Sequence, residues 1–139
     1  MPGKHIELFN RYTRAMLTLR LLPETFAICR FAPDATLPAW AMGGAFWSVT
    51  RTAEELSVVC AAPVPDNVLA ERGWRGLQVV GPLDFALTGI LAGLTAPLAE
   101  AGVSIFALST YDTDYLLVKA ERIETAIAVL QGVGYVIER

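Results

Sequence analysis

The sequence has few of the residues that most often build metal and catalytic sites. It contains one histidine, His5, and two cysteines, Cys29 and Cys60, which are far apart and flanked by apolar residues. A zinc site needs about four closely spaced ligands, and nucleophilic catalysis needs a nucleophile beside a general base. Neither pattern occurs, so we expect no metal, no cofactor and no enzymatic activity. We interpret both cysteines as small buried hydrophobic residues.

Charged residues are also scarce, at 18% of the chain, and the 11 lysines and arginines are scattered singly. Nucleic-acid binding typically requires a basic stripe or patch, which the sequence lacks. No apolar run reaches the roughly 18–20 residues of a membrane span, and the N-terminal stretch does not resemble a secretory signal. We therefore expect a cytoplasmic protein with neither nucleic acid nor membrane as a partner.

Apolar side chains, in contrast, are abundant. Hydrophobic residues make up 54% of the sequence, compared with about 45–50% in typical globular proteins. A single small domain rarely buries that much apolar surface alone, and an interface between subunits can bury the remainder. The composition therefore favours a homodimer.

The second half of the sequence has the most regular pattern, and it predicts the order β-α-β-β-α-β. β-rich runs occur at 74–81, 103–110 and 113–120, and a last one lies at 135–138. Between them, apolar residues recur at helical spacing over 84–102 and 121–131. Asp84 is suited to the N-cap of the first helix and Gly102 to its C-terminal cap. This order is typical of the ferredoxin-like α+β fold, with both helices on one face of an antiparallel sheet.

The first half reads as a shortened, β-rich version of the same pattern. Apolar runs at 46–50 and 56–60, joined by a polar turn, predict a β-hairpin. An earlier strand-like stretch is interrupted by Pro23, and only a short helical turn around 38–42 fits where a full helix would be expected.

Two short motifs carry a resemblance to a known family. The segments "GPLDFALTGILA", beginning at Gly81, and "LSTYDTDY", beginning at Leu108, are similar to those of small tandem ACT-domain proteins of bacteria. They also resemble the ACT domains of CASTOR-type proteins, which in animals are cytosolic arginine sensors. The resemblance implies an N-terminal extension at 1–16, expected to be mobile, a truncated ACT-like repeat at 17–66 and a complete ACT domain at 67–139.

The resemblance also implies a regulatory site for an amino acid or a similar small effector at an interface between ACT domains. Such sites combine the loop after the first strand of one domain with strands of its neighbour. CASTOR-type sensors contain four ACT units and this chain contains two, so a homodimer would be needed to reproduce their arrangement. The positions that correspond to the ligand-binding residues are Gly81, Pro82, Leu83, Asp84, Phe85, Thr88, Tyr111, Asp112, Thr113 and Asp114.

The residues themselves leave alternatives open at this site. Asp112 and Asp114 share a face of an extended strand, and either can be a polar turn residue. A carboxylate shielded from water at Asp114 needs a cationic partner, which a ligand or a basic side chain of a neighbouring chain could supply. Gly81 and Pro82 end a strand, and exposed N–H groups at the following helix could hold a carboxylate. The rival interpretation is an oligomerisation or interaction module that binds no ligand.

Overall fold

The computed structural model describes residues 17–81 and 89–139. The chain divides into two compact units. Unit 1 comprises the described residues of Met1–Leu22 together with Arg75–Arg139, and unit 2 comprises Pro23–Trp74. The predicted N-terminal extension at 1–16 lies outside the described residues, and the predicted domain boundaries at 17, 66 and 67 stay predictions.

The described residues form seven strands, two α-helices and two short 3-10 helices. Strands β1 and β4 each pass from one unit into the other, because the division falls at Pro23 within β1 and at Trp74 within β4. The element bounds are β1 Thr18–Phe31, β2 Trp47–Arg51, β3 Leu56–Cys60, β4 Ala70–Val79, α1 Ile90–Glu100, β5 Ile105–Ser109, β6 Asp114–Lys119, α2 Ile123–Gly132 and β7 Val136–Glu138, with 3-10 turns at Ala39–Met42 and Ala120–Arg122.

The sheet of unit 1 follows the strand order β7-β1-β4-β6-β5. β5 and β6 form the predicted antiparallel hairpin, with Ile105 opposite Val118. The start of β1 lies between β7 and β4: Thr18 pairs with Val136 in a parallel ladder, and the Thr18 carbonyl accepts from the N–H of Val80 at 2.8 Å. The predicted α+β, ferredoxin-like fold class is therefore confirmed, with β1 as an additional strand.

The core of unit 1 lies between this sheet and both helices. The helices contribute the apolar faces that their sequence spacing predicted, and strands β1, β4 and β6 contribute alternate residues. Complete burial of a leucine side chain stabilises a fold by about 1.5–3 kcal/mol, so this cluster is a major source of stability. Its buried members are Leu17, Leu19, Leu77, Val79, Ile90, Leu94, Leu98, Val103, Leu116, Val118, Ile123, Ala126, Ile127, Leu130 and Tyr135.

Both helices end in a Schellman motif built around a glycine. At the end of α1, the Gly102 N–H donates to Ala99 at 3.0 Å and the Val103 N–H donates to Leu98 at 2.9 Å. The φ of Gly102 is 72° and that of Gly134, at the end of α2, is 111°. This left-handed conformation is easily adopted only without a Cβ, which explains the glycine at each position. The predicted C-terminal cap at Gly102 is confirmed.

The start of α1 differs from the prediction. We expected the helix to follow Asp84, but its N-cap is Gly89, with a φ of 79°, and its first residue is Ile90. A backbone with this φ is not helical, so the helical path cannot continue through Gly89. Asp84 itself lies outside the described residues.

Unit 2 has the strand order β2-β3-β1-β4 and a smaller core. The predicted hairpin is confirmed as β2 and β3, with Val49 opposite Val58. The short helical turn is confirmed as the 3-10 helix Ala39–Met42, which contributes Ala41 to the core. The remaining buried core members are Ala27, Cys29, Leu56, Val58 and Cys60. Both cysteines are thus free and buried, as predicted.

Candidate ligand site

Thr113 connects the turn between β5 and β6 to the end of β4 by a hydrogen bond. This side chain is buried, with 5% of its surface exposed, and its hydroxyl donates to the Val79 carbonyl at 2.6 Å. A buried hydroxyl without a partner is costly, so this bond fixes where the turn lies. Gly81 follows Val79 by two residues in the chain.

Hydrogen bonds within the turn hold its shape. The Thr110 N–H donates to the Thr113 carbonyl at 2.8 Å, and the Thr113 N–H donates to the Thr110 hydroxyl at 3.3 Å. Two predicted ligand residues, Tyr111 and Asp112, lie at the exposed tip, and Tyr111 is 82% exposed. These two side chains therefore face outward from the same short turn.

Asp114 is half-buried at the first position of β6. It lies opposite Ser109 in the hairpin register, and the Ser109 hydroxyl donates to its Oδ1 at 2.5 Å. Within residues 17–81 and 89–139, no basic side chain forms an ion pair with Asp114. An ionised carboxylate can accept about four hydrogen bonds, so Asp114 retains capacity to accept from a further donor.

Tyr115 adds a second titratable group beside this carboxylate. Its pKa is raised above the ordinary value, first by burial and second by the negative charge of Asp112. Both effects disfavour the phenolate. Tyr115 therefore stays a neutral phenol at physiological pH.

The structure brings some predicted site residues together and leaves others undescribed. Thr113, Asp114, Tyr111 and Asp112 lie in one turn, and Gly81 is exposed just after β4. The predicted positions Pro82, Leu83, Asp84, Phe85 and Thr88 lie outside the described residues. Gly89 and Ile90, where α1 begins, are the next described residues.

Sequence reasoning did not identify Ser109 as a participant. Serine at the end of a β-run resembles an ordinary turn residue. The signal that could have revealed it was the hairpin register, because a turn closing between Thr110 and Thr113 places Ser109 directly opposite Asp114.

Unit 2 contains an open cleft of about 370 Å³, lined in part by Glu24, Thr25 and Arg72. The Arg72 guanidinium donates to the carbonyls of Val64, Pro65 and Val68 at 2.8–3.0 Å. Arg72 therefore organises the loop beside the cleft, and the cleft contains none of the sequence-predicted residues.

Two other kinds of feature are absent from the described residues. Within residues 17–81 and 89–139, no group of three or more histidine, cysteine, aspartate or glutamate side chains could hold a metal ion. In the same part of the chain, no helix is both long and apolar enough to cross a membrane.

A family model matches the part of the chain that contains the β5–β6 hairpin. The model of the ACT domain matches residues 69–132, and the model of an N-terminal domain matches residues 24–67. Residues 69–132 thus match an ACT domain. Part of the chain is also similar in sequence to CASTOR proteins, which agrees with the resemblance predicted from its motifs.

The bovine relative, named cytosolic arginine sensor for mTORC1 subunit 1, is 41% identical over 97 residues. The match covers 61% of this chain and 30% of that protein. The human protein named putative protein CASTOR3P is 33% identical over 87 residues, covering 52% of this chain and 53% of that protein. The chain thus spans only about a third to a half of the length of these relatives.

Two solved structures extend the comparison. A protein from Agrobacterium tumefaciens has a TM-score of 0.82 and 37% identity, and the match covers 87% of this chain and 91% of that one. The regulatory subunit of aspartate kinase from Thermus thermophilus has a TM-score of 0.54 and 14% identity, covering 83% and 95% of the two chains. The second similarity shows the fold alone.

Proposed function

We propose that this protein is a cytoplasmic regulatory module that binds an amino acid, or a similarly small effector, where ACT domains meet in a homodimer. The observation that carries the proposal is the half-buried Asp114 carboxylate, held at the start of β6 with acceptor capacity remaining. The 41% identity with a protein named as an arginine sensor supports the same class of ligand.

An amino acid offers two charges, and the region around Asp114 suits one of them. A ligand ammonium or guanidinium donates charge-assisted hydrogen bonds to a carboxylate, and such bonds are stronger than neutral ones. Because Asp114 is half-buried, water screens this attraction less than it would at a fully exposed aspartate.

The opposite charge has a candidate partner in α1. The first backbone N–H groups of this helix are without helical acceptors, and helix N-termini favour anions. A ligand carboxylate at this end and a cationic group at Asp114 would satisfy both charges of a zwitterion. The predicted residues Gly81, Pro82, Leu83, Asp84, Phe85 and Thr88 precede this helix end in the chain.

A regulatory role, in place of a catalytic one, agrees with the residues on the hairpin. Tyr111, Asp112, Thr113 and Asp114 offer hydrogen-bonding and charged groups, and the Thr113 hydroxyl is already used by the Val79 carbonyl. Such groups can recognise a ligand, but they do not include a nucleophile paired with a general base.

Thermal unfolding in the presence of each common amino acid tests the proposal. A ligand at 100 times its dissociation constant should stabilise the native protein by about 2.7 kcal/mol. Asp114→Asn keeps the size of the side chain and an oxygen for Ser109 but removes the charge, so it should abolish most of that shift. Asp66→Asn, at an exposed aspartate of unit 2, should respond like the unchanged protein. If no amino acid raises the unfolding temperature at millimolar concentration, the sensing function is wrong.

The second candidate function is an oligomerisation module without a ligand. The hydrogen bond from Ser109 to Asp114 favours it, because this bond already gives the carboxylate a structural task. In that case Asp114→Asn should alter the dissociation constant of the dimer. No amino acid should change the unfolding temperature of the unchanged protein or of the variant.

A further inference from the structure

The open cleft of unit 2 lies where β1 extends beyond the end of β3. The ladder between these two strands ends with Ala27 opposite Cys60. In a continued antiparallel register, Ala62 would lie opposite Thr25. Both of these residues instead line the cleft of about 370 Å³. Known small-molecule sites have volumes of about 300 Å³ or more, so the cleft is large enough for a small ligand.

The segment after β3 follows the start of β2 and leaves β1. The Ala61 N–H donates to the Phe46 carbonyl at 3.0 Å. A Cβ on Gly44 would lie 3.0 Å from the carbonyl carbon of Ala61 and from the nitrogen of Ala62. Glycine at 44 therefore allows this close approach of two backbone segments, and the space beside β1 stays open.

The backbone of Thr25 faces this space. The Arg30 N–H donates to Leu69 at 3.0 Å, on the side of β1 that β4 occupies. Hydrogen-bonding groups alternate between the two sides of a strand, so those of Ala27 face β3 and those of Thr25 face the cleft. No strand in the described part of the chain pairs with this side of β1 at Thr25. Pro23, on the same side, has no N–H to pair, as is usual at an open edge.

The rest of the lining provides one cation, one anion and an apolar wall. The Arg72 guanidinium is oriented by bonds of 2.8–3.0 Å to three backbone carbonyls of the segment 64–68. These acceptors are neutral, so the bonds do not cancel its charge. Glu24 is half-buried and lines the same cleft. The apolar lining residues are Phe26, Ala27, Ala61, Ala62, Pro63 and Val64.

We infer that this cleft binds a single α-amino acid with a small apolar side chain, which pairs with Thr25 as a residue of a neighbouring strand would. Opposite residues of a hydrogen-bonded pair exchange two backbone bonds. A free amino acid can do the same, because its ammonium donates to the Thr25 carbonyl and its carboxylate accepts from the Thr25 N–H. Arg72 and Glu24 add opposite charges for these two groups, and the apolar wall favours a short apolar side chain.

This site is independent of the proposed site at Asp114, because every residue that lines it belongs to unit 2. Isothermal titration calorimetry of the full chain with L-valine measures its affinity. The unchanged protein and Asp114→Asn should bind L-valine equally well, and a loss of binding in Asp114→Asn would overturn the assignment to the cleft. In Asp114→Asn, L-arginine should bind at least about tenfold more weakly than L-valine, because its side chain places a cation against the apolar wall.

Thr25→Pro removes the N–H that the ligand carboxylate uses. No ladder bond is lost, since this N–H faces the cleft. The dissociation constant for L-valine should rise at least about tenfold, which is the usual effect of losing a hydrogen bond to a charged group. Thr25→Val keeps the N–H and the shape of the side chain, so it is the matched control and should bind like the unchanged protein.

Far-UV circular dichroism checks that each variant is folded. Where Thr25→Pro does not fold, Glu24→Gln replaces it and should weaken L-valine binding about tenfold. Its control is Glu54→Gln, at an exposed glutamate, which should bind normally. Equal affinities of a folded Thr25→Pro and Thr25→Val, or of Glu24→Gln and Glu54→Gln, would overturn the site. An absence of L-valine binding at millimolar concentration would overturn it as well, and would leave the proposal for Asp114 standing.

Discussion

Units 1 and 2 both build a sheet that includes a β-hairpin, but they cover that sheet very differently. In unit 1, α1 and α2 pack on one face, and at least 15 described residues form the buried core. In unit 2, a four-residue 3-10 helix and a loop take the place of helices, and six described residues form the core. Less apolar area removed from water means less stabilisation, so unit 2 has the weaker core.

The difference shows that the helices supply much of the buried apolar surface in a fold of this kind. Unit 2 retains the strands of the pattern, and it also retains exposed apolar side chains at Trp47 and Val49 that no described element covers. Two features compensate for the small core. Strands β1 and β4 continue from unit 1 into unit 2, and arginine side chains tie loops of unit 2 to its strands.

Among the changes that test this comparison, Leu94→Ala in unit 1 should cause the largest loss of stability. Leu94 has no exposed surface, and loss of a buried leucine side chain costs about 2–5 kcal/mol. All three tryptophans, Trp40, Trp47 and Trp74, lie in unit 2, and both described α-helices lie in unit 1. Tryptophan fluorescence and helical circular dichroism therefore follow the two units separately during urea unfolding.

We expect both signals to shift to the same lower midpoint, because β1 and β4 are shared between the units. Val58→Ala, at a fully buried position of unit 2, is the matched change and should also shift both signals, by a smaller amount. Independent units would instead show a shifted helical signal and unchanged fluorescence in Leu94→Ala.

A smaller effect is expected at Thr113. Thr113→Val preserves the shape of the side chain but leaves the buried Val79 carbonyl without the hydroxyl that donates to it. An unsatisfied buried group costs about 1–3 kcal/mol, so the free energy of unfolding should fall by that amount. Thr113→Ser keeps the hydroxyl and should lose less. Equal losses in urea unfolding would show that the hydroxyl contributes nothing.

The alkaline pH dependence of stability should come in part from unit 2. Burial, followed by the proximity of Cys60, raises the pKa of the Cys29 thiol from 9.0 to about 11. The unfolded chain therefore releases this proton at a lower pH than the folded protein. The contribution to stability is fully present below about pH 9 and is lost between pH 9 and 11.

Cys29→Ala removes this titration, and the variant should lose about 2 kcal/mol less than the unchanged protein over that interval. Unfolding free energies measured at pH 8 and pH 10.5 give the comparison, and parallel curves for the two proteins would contradict it. The same burial should protect Cys29 from alkylation at neutral pH, because the thiolate is the reactive form.

The smallest effect belongs to an exposed pair on unit 1. Arg139 donates two hydrogen bonds to Glu124, at 2.9 and 2.6 Å, and these bonds hold the pKa of the Glu124 carboxyl below its ordinary value. The contribution of this pair to the free energy of unfolding is present above the ordinary pKa of glutamate. It is lost as the pH falls through the lowered pKa of Glu124. Arg139→Gln should return the Glu124 pKa, followed by NMR, to its usual range. Its unfolding temperature should hardly change, because exposed ion pairs stabilise little.

The sequence predicted the helices and strands of the fold better than it predicted which strands pair with each other. Strict apolar periodicity identified both helices, and alternation identified the hairpins at 47–60 and 105–119, because each pattern reflects one buried face. The glycine at 102 was recognisable as a cap for a local steric reason. The placement of β1 between β7 and β4 was not foreseen, because pairing of residues about 118 positions apart leaves no local pattern.

The candidate site was predicted in part. The hairpin aspartates could be identified because they interrupt an apolar stretch, and the family resemblance added Tyr111 and Thr113. The start of α1 at Ile90 was missed because Asp84 is a good N-cap and the φ of Gly89 cannot be read from residue types. Ser109 was missed because its role depends on a partner across the hairpin.

The parallel pairing of β7 with the start of β1 constrains how this protein can be cut or recombined. The stretch that matches the ACT model, 69–132, includes neither of these strands. A fragment that contains only the second half of the chain would leave β7, Val136–Glu138, and one edge of β4 without β1 as a neighbouring strand. Grafting this second half into another protein should therefore give an aggregation-prone product unless the segment Thr18–Leu22 is transplanted with it.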